Sequence, residues 1–227
     1  MNPDDYQQYA LSIDFFSDPV FNESLSRYIS LIVGSSPSAS KICDVGGGTG
    51  YLLNLILKQR TDLIATLIEP SKPMFYQAES SLASTKIKLL NTSLQESLST
   101  LECQDAFLFC RSLYAFSGDI SVYKDLFSQL TKKLSVFGQL FIYEIGSVYD
   151  IEFHKKGLEK KFINKKEMFN KHWPILELAL QRFNEGVENG EFTLFSRDKI
   201  ENVAYEAGFN LLYYSDPDLY CFRKRYS

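Results

Sequence analysis

Residues 41–53 read Lys-Ile-Cys-Asp-Val-Gly-Gly-Gly-Thr-Gly-Tyr-Leu-Leu: an apolar run that enters a glycine cluster and continues into a helix-like stretch. Gly46, Gly48 and Gly50 let the backbone turn sharply and let a ligand approach with no Cβ in the way. A ligand bound against bare backbone is expected at this turn. Outward from it, short apolar runs at 41–45, 63–68, 87–90, 106–110 and 139–145 alternate with helix-like stretches at 51–59, 72–83 and 119–134. That alternation builds a parallel sheet covered by helices on both faces. The last of these helices carries Val122, Leu126, Leu130 and Leu134 at four-residue spacing.

Ahead of this core lies an amphipathic segment, 6–33, ended by the breaker cluster GSSPSAS. Behind it, 147–190 is helical in character and Lys-rich, 196–208 reads as a helix closed by Gly208, and 211–214 and 219–223 flank Ser-Asp-Pro-Asp as a terminal hairpin. The chain divides as a single domain: an N-terminal helical cap (1–40), a core (41–146), a helical insertion or lid (147–190), and a final helix and hairpin (191–227).

With 227 residues, 45% hydrophobic and 15% aromatic, there is material for one sizeable core. The 24 Lys and Arg against 28 Asp and Glu leave a net charge of -4, hence no positive field for nucleic acid or anionic lipid. The opening MNPDDYQQYA has neither the basic start nor the apolar stretch of a signal peptide, and no run approaches the ~18 apolar residues of a membrane span. Cys43, Cys103, Cys110 and Cys221 show no C-x-x-C spacing, and Cys43 and Cys110 sit in apolar runs as small hydrophobes do. A cytoplasmic protein with reduced thiols, no metal site, and no nucleic-acid or membrane partner is expected. A homodimer is left open.

The dinucleotide fingerprint G-x-G-x-x-G needs a glycine where this chain has Tyr51. The spacing is D-x-G-x-G-x-G, and the second apolar run ends in Leu-Ile-Glu-Pro-Ser-Lys-Pro-Met, 67–74. Together these resemble the class I S-adenosylmethionine-dependent methyltransferases over roughly residues 41–145. The resemblance implies a Rossmann-like three-layer α/β sandwich, with a seven-stranded, mostly parallel sheet and a C-terminal antiparallel hairpin. It implies S-adenosylmethionine as cofactor. Gly46, Gly47 and Gly48 would pass under its methionine part and Asp44 would anchor its amino group. Glu69 would bind both ribose hydroxyls, followed along the cofactor by Pro70 and Met74. A carboxylate suits a vicinal diol because it accepts two hydrogen bonds side by side.

The family's Gly-Asp-Ala after strand three is here Thr92, Ser93 and Leu94, so a hydroxyl or backbone atoms would meet the adenine. Cys110 and Arg111, after strand four, are expected beside the cofactor, with Arg111 also a candidate for substrate contact. Glu144 ends strand five at the acceptor rim, a base or orienting group by family position and a capping or salt-bridge partner by the plainer reading. His154 is a candidate general base, and both it and His172 read equally as structural or exposed. Asp44 could instead cap the following helix. The aromatic segment Tyr6, Tyr9, Phe15 and Phe16 either folds over the cofactor or docks its helix on the sheet.

Lys pairs at 155/156, 160/161 and 165/166 step round a helix by about 140° each, a solvated helix and not a stripe. Trp173, Leu176, Leu180 and Phe183 share a face that forms plain core or roofs a pocket. The implied activity is methyl transfer to a small-molecule oxygen, nitrogen or carbon nucleophile. Two alternatives stay open: a methyltransferase acting on protein or RNA, and a catalytically silent partner subunit that binds the cofactor or only keeps the fold.

Overall fold

The computed structural model describes residues 12, 14–17, 22–83, 87–116, 120–215 and 219–225. Seven strands, β1 (Lys41–Val45), β2 (Ile64–Ile68), β3 (Ile87–Leu90), β4 (Gln104–Cys110), β5 (Leu134–Tyr143), β6 (Phe209–Ser215) and β7 (Leu219–Lys224), form one sheet in the order β3-β2-β1-β4-β5-β7-β6. β1 to β5 pair in parallel, and β7 inserts antiparallel between β5 and β6. Strand order reverses between β1 and β4, whose carboxyl ends therefore open a crevice for ligand.

Period-two alternation assigns the two faces of the sheet. Ile42, Leu67, Leu108 and Phe141 face α1 (Glu23–Ser35), α2 (Tyr51–Gln59) and α3 (Lys72–Ser81). Cys43, Phe107, Phe109, Leu140 and Ile142 face α4 (Leu94–Ser97), α5 (Ile120–Lys133) and α8 (Arg197–Glu206). The Tyr28 hydroxyl of α1, fully buried, donates to the carbonyls of Phe109 (3.1 Å) and Phe141 (3.2 Å) and ties the cap helix to the central strands.

The remaining helices, α6 (Ile151–Lys161) and α7 (Lys166–Glu188), leave the sheet after β5 and build a core of their own. There Phe16, Leu158, Phe162, Phe169, Trp173 and Leu180 pack together. Phe15 stacks on His172 at 4.9 Å, and the Ser12 hydroxyl lies 2.9 Å from His172 Nδ1, so the N-terminal segment and α7 hold one another. Tyr6 and Tyr9 lie outside the described residues.

Two sequence expectations are corrected. Leu134 opens β5 instead of closing α5, because it pairs with Gln104 at the foot of β4. The register then shifts so that Ala106 faces Gln139, and Val136 and Phe137 bulge outward, both more than half exposed. The buried stripe of α5 accordingly runs through Tyr123, Leu126, Phe127 and Leu130. No helix among the described residues is long and apolar enough to cross a membrane.

Candidate functional site

β1 carries Asp44 and Val45 to the turn, where Gly46 takes φ +67°. The N–H groups of Gly46 and Gly47 donate to the Ile68 carbonyl at 2.8 and 3.2 Å, which locks the turn to the end of β2. A Cβ on Gly47 would stand 2.8 Å from both an Asp44 carboxylate oxygen and the Leu67 side chain, so glycine is required here by close approach. Glu69, just past β2, closes the opposite wall. Its Oε2 accepts from the Gly48 N–H at 2.9 Å and its Oε1 from the Ser71 N–H at 2.7 Å, and each oxygen keeps a lone pair for a further donor.

Asp44 is 1% exposed, and neither of its carboxylate oxygens has a hydrogen-bond partner among the described residues. Burial, then the neighbouring charge of Glu69, pushes it up to about 7. An uncompensated buried carboxylate is costly enough to mark the place of a cationic or hydrogen-donating ligand. The capping alternative for Asp44 does not apply, since α2 is capped by Gly50 in the left-handed region. Burial also pushes Asp14 up to about 6, against the bond its Oδ1 accepts from the Thr49 hydroxyl at 2.9 Å in the glycine turn.

These groups open into a hollow of about 1030 Å³ between the carboxyl ends of the strands and the helices α6 and α7. Small-molecule sites span ~300–1,000 Å³, so this one stands at the upper end of that range. Asp44, Gly46, Gly47, Gly48, Glu69, Pro70, Met74, Ser93, Leu94, Cys110, Arg111 and His154 all line it. Tyr9 lies outside the described residues. The Ser93 hydroxyl is engaged in a capping box: it donates to Glu96 Oε2 (2.8 Å) and accepts from the Glu96 N–H (3.3 Å). Thr92 donates to the same carboxylate at 2.7 Å. At this end Gln95 also lines the hollow.

Glu144, expected at the acceptor rim, does not line the hollow. It is 3% exposed and accepts from the backbone N–H groups of Leu113 (2.6 Å), Tyr114 (3.2 Å) and Ile145 (3.1 Å). The Leu113 and Tyr114 N–H groups open a 3₁₀ turn at Leu113–Ala115, where no helical carbonyl precedes them, so the carboxylate caps the loop after β4. Burial pushes Glu144 up to about 7, with the three backbone bonds opposing. Its place is beneath the loop that carries Arg111 and Tyr114.

Trp173 turns away from the hollow into the helical core, stacked on Phe169 at 5.6 Å, while its helix neighbours Leu176, Leu180 and Phe183 line the hollow. The Lys-rich stretch also departs from expectation, since Lys161 reaches the hollow. Sequence reasoning missed Asp14, Lys161, Tyr114, Tyr149 and Phe192 as lining residues. The capping box alone had a legible signature, Ser93-x-x-Glu96. The others come from segments distant in the chain and carry no spacing signal.

The sequence matches no family model and no curated protein. Solved structures do match. The N-methyltransferase NodS from Bradyrhizobium japonicum WM9, in complex with S-adenosyl-L-homocysteine, aligns with a TM-score of 0.59 at 16% identity over 92% of this chain and 90% of its own. The cyclopropane synthase MmaA2 from Mycobacterium tuberculosis gives 0.59 at 18%, over 94% and 76%. The pyocyanin biosynthetic protein PhzM gives 0.58 at 14%, over 87% and 54%. The chain spans little more than half the length of PhzM and of two O-methyltransferases it also matches. The strand order with its antiparallel β7, the glycine turn after β1 and these likenesses together show that the chain has the fold of the class I S-adenosylmethionine-dependent methyltransferases.

Proposed function

We propose that this protein transfers a methyl group from S-adenosylmethionine to an oxygen, nitrogen or carbon nucleophile on a small molecule. The observation that carries the reading is the orphaned Asp44 carboxylate beside the glycine turn, across from Glu69. That donor set fits the cofactor: Asp44 for its ammonium group, bare backbone at Gly46–Gly48 for its methionine chain, and Glu69 for its ribose diol. When bound, S-adenosylmethionine supplies an electrophilic methyl group on a sulfonium. The protein's own work is then to place the acceptor and exclude water.

Leu176, Leu180 and Phe183 of α7 and Leu158 of α6 form an apolar roof over the hollow, the enclosure that suits a small acceptor. His154 lines the same space. Burial, then the charges of Arg111 and Lys161, lowers its proton affinity, so it is neutral near pH 7 and free to take a proton from an acceptor hydroxyl.

The test is thermal unfolding with ligand present. S-adenosylhomocysteine at 100 times its dissociation constant is expected to add about 2.7 kcal/mol of stability. NAD is expected to add none, because Tyr51 stands where the dinucleotide turn needs glycine. Stabilisation by NAD with no response to S-adenosylhomocysteine overturns the reading.

A pH dependence follows from Asp44. Its folded value, about 7, stands above its unfolded value of 3.8, so the free protein binds an extra proton and loses stability as pH rises between those values. An ammonium ligand needs the ionised form and draws that proton off. Affinity for S-adenosylhomocysteine, measured by calorimetric titration, is therefore expected to climb as pH rises from 5 to 7, by at most about tenfold per unit, and then to level. In Asp44→Asn the climb should flatten; a slope unchanged in that variant assigns the titration to another group.

A further inference from the structure

We propose that the methyl acceptor is an aromatic carboxylic acid, its carboxylate held by Arg111 and its ring set against a wall of aromatic side chains. The inference rests on the methyl-transfer reading and names the substrate class of the same site. Its first support is that the hollow is lined by charges of both signs. The acids Asp14, Asp44 and Glu69 all stand at the glycine turn, whereas the charged basic lining groups are Arg111, in the loop after β4, and Lys161, at the end of α6. The acid set suits a cationic cofactor. The Arg111 guanidinium has no use for one and suits a negative ligand.

The second support is the state of Arg111. Its surface is exposed and lines the hollow. Its guanidinium lies 5.1 Å over the Tyr143 ring, its Nη2 donates to the Tyr143 hydroxyl at 3.0 Å, and none of the ion pairs among the described residues involves it. Most of its five donors thus remain for a ligand, in the fork geometry that matches a carboxylate with two parallel bonds. The backbone is also strained to hold it there. Arg111 sits at φ +53° with its N–H bonded to the Tyr143 carbonyl at 2.7 Å, a conformation unfavourable for a side-chain-bearing residue.

The third support is the wall beside these bases. Tyr114 meets Phe183 and Phe192 edge-on at 5.1 and 5.0 Å, and Tyr149 meets Phe183 at 5.5 Å. These four rings pack on one another and together line the hollow, an aromatic wall against which a flat ring gains edge-to-face contacts. Glu144, which the charge of Arg111 also reaches, is turned to backbone amides and does not line the hollow.

The experiment titrates the protein saturated with S-adenosylhomocysteine, using hydroxybenzoates, hydroxycinnamates and hydroxynaphthoates, each beside its own carboxamide. At least one acid is expected to bind, about tenfold or more tighter than its amide. Arg111→Gln should erase that preference, and Arg111→Lys should restore part of it, since the charge returns without the fork. If S-adenosylhomocysteine itself fails to bind, the methyl-transfer reading falls and takes this inference with it. If S-adenosylhomocysteine binds but no acid does, or amides bind as tightly as acids, only the substrate class is overturned. The wild-type comparison decides the matter even if an Arg111 variant fails to fold.

Discussion

Glu69→Ala is expected to weaken S-adenosylhomocysteine by roughly tenfold to a thousandfold, the loss of two charge-assisted bonds at about 1.5–3 kcal/mol each, discounted for water that replaces them. The carboxylate is 6% exposed and already accepts from Gly48 and Ser71, so its removal also unpins the glycine turn from the loop after β2. A stability loss of about 1–2 kcal/mol should accompany the loss of affinity, because two half-buried N–H groups are left to find water. Glu69→Gln keeps one strong acceptor and should fall between wild type and alanine in both measurements. Calorimetric titration and urea denaturation read the two effects separately. Unchanged affinity in Glu69→Ala removes this residue from the ribose site.

The largest stability effect is expected at Gly46. An alanine there would hold φ +67° and place its Cβ 2.7 Å from the Ser112 Cβ. Ser112 cannot swing aside freely, since its hydroxyl donates to the Val45 carbonyl at 2.6 Å and it is 9% exposed. Left-handed strain and overpacking together should cost about 2–4 kcal/mol. Gly48→Ala is the matched comparison: φ is +56° but no atom lies within 4 Å of the added Cβ, so strain of about 1 kcal/mol acts alone. Equal losses in the two variants by urea denaturation would show that contact with Ser112 contributes nothing.

Much of the fold is legible in local pattern. The strand–glycine–helix passage at 41–59, the alternating apolar runs and the closing hairpin each depend on a few neighbouring residues, and the structure places strands or helices at all of them. Where the reading slipped, at Leu134, the residue fits a helix stripe as well as a strand, and only its pairing with Gln104 decides between them. The wall formed by the glycine turn and Glu69 was equally legible, because strand ends in a parallel sheet lie at one edge and the motif residues sit at strand ends.

What the sequence by itself determined is the order of strands and helices and the edge at which ligand meets backbone, since periodicity and glycine placement are local properties. The tertiary structure alone decided the rest. Glu144 became a loop cap because the N–H groups of Leu113 and Tyr114, 31 and 30 residues earlier in the chain, are delivered to it by parallel pairing of β4 and β5. Asp14 reached Thr49, the exposed Lys161 came to border the hollow, and Trp173 turned into the helical core while Phe183 turned toward the hollow. Each of these depends on how α6, α7 and the N-terminal segment pack together. Packing matches surfaces from distant parts of the chain, and no residue spacing encodes that match.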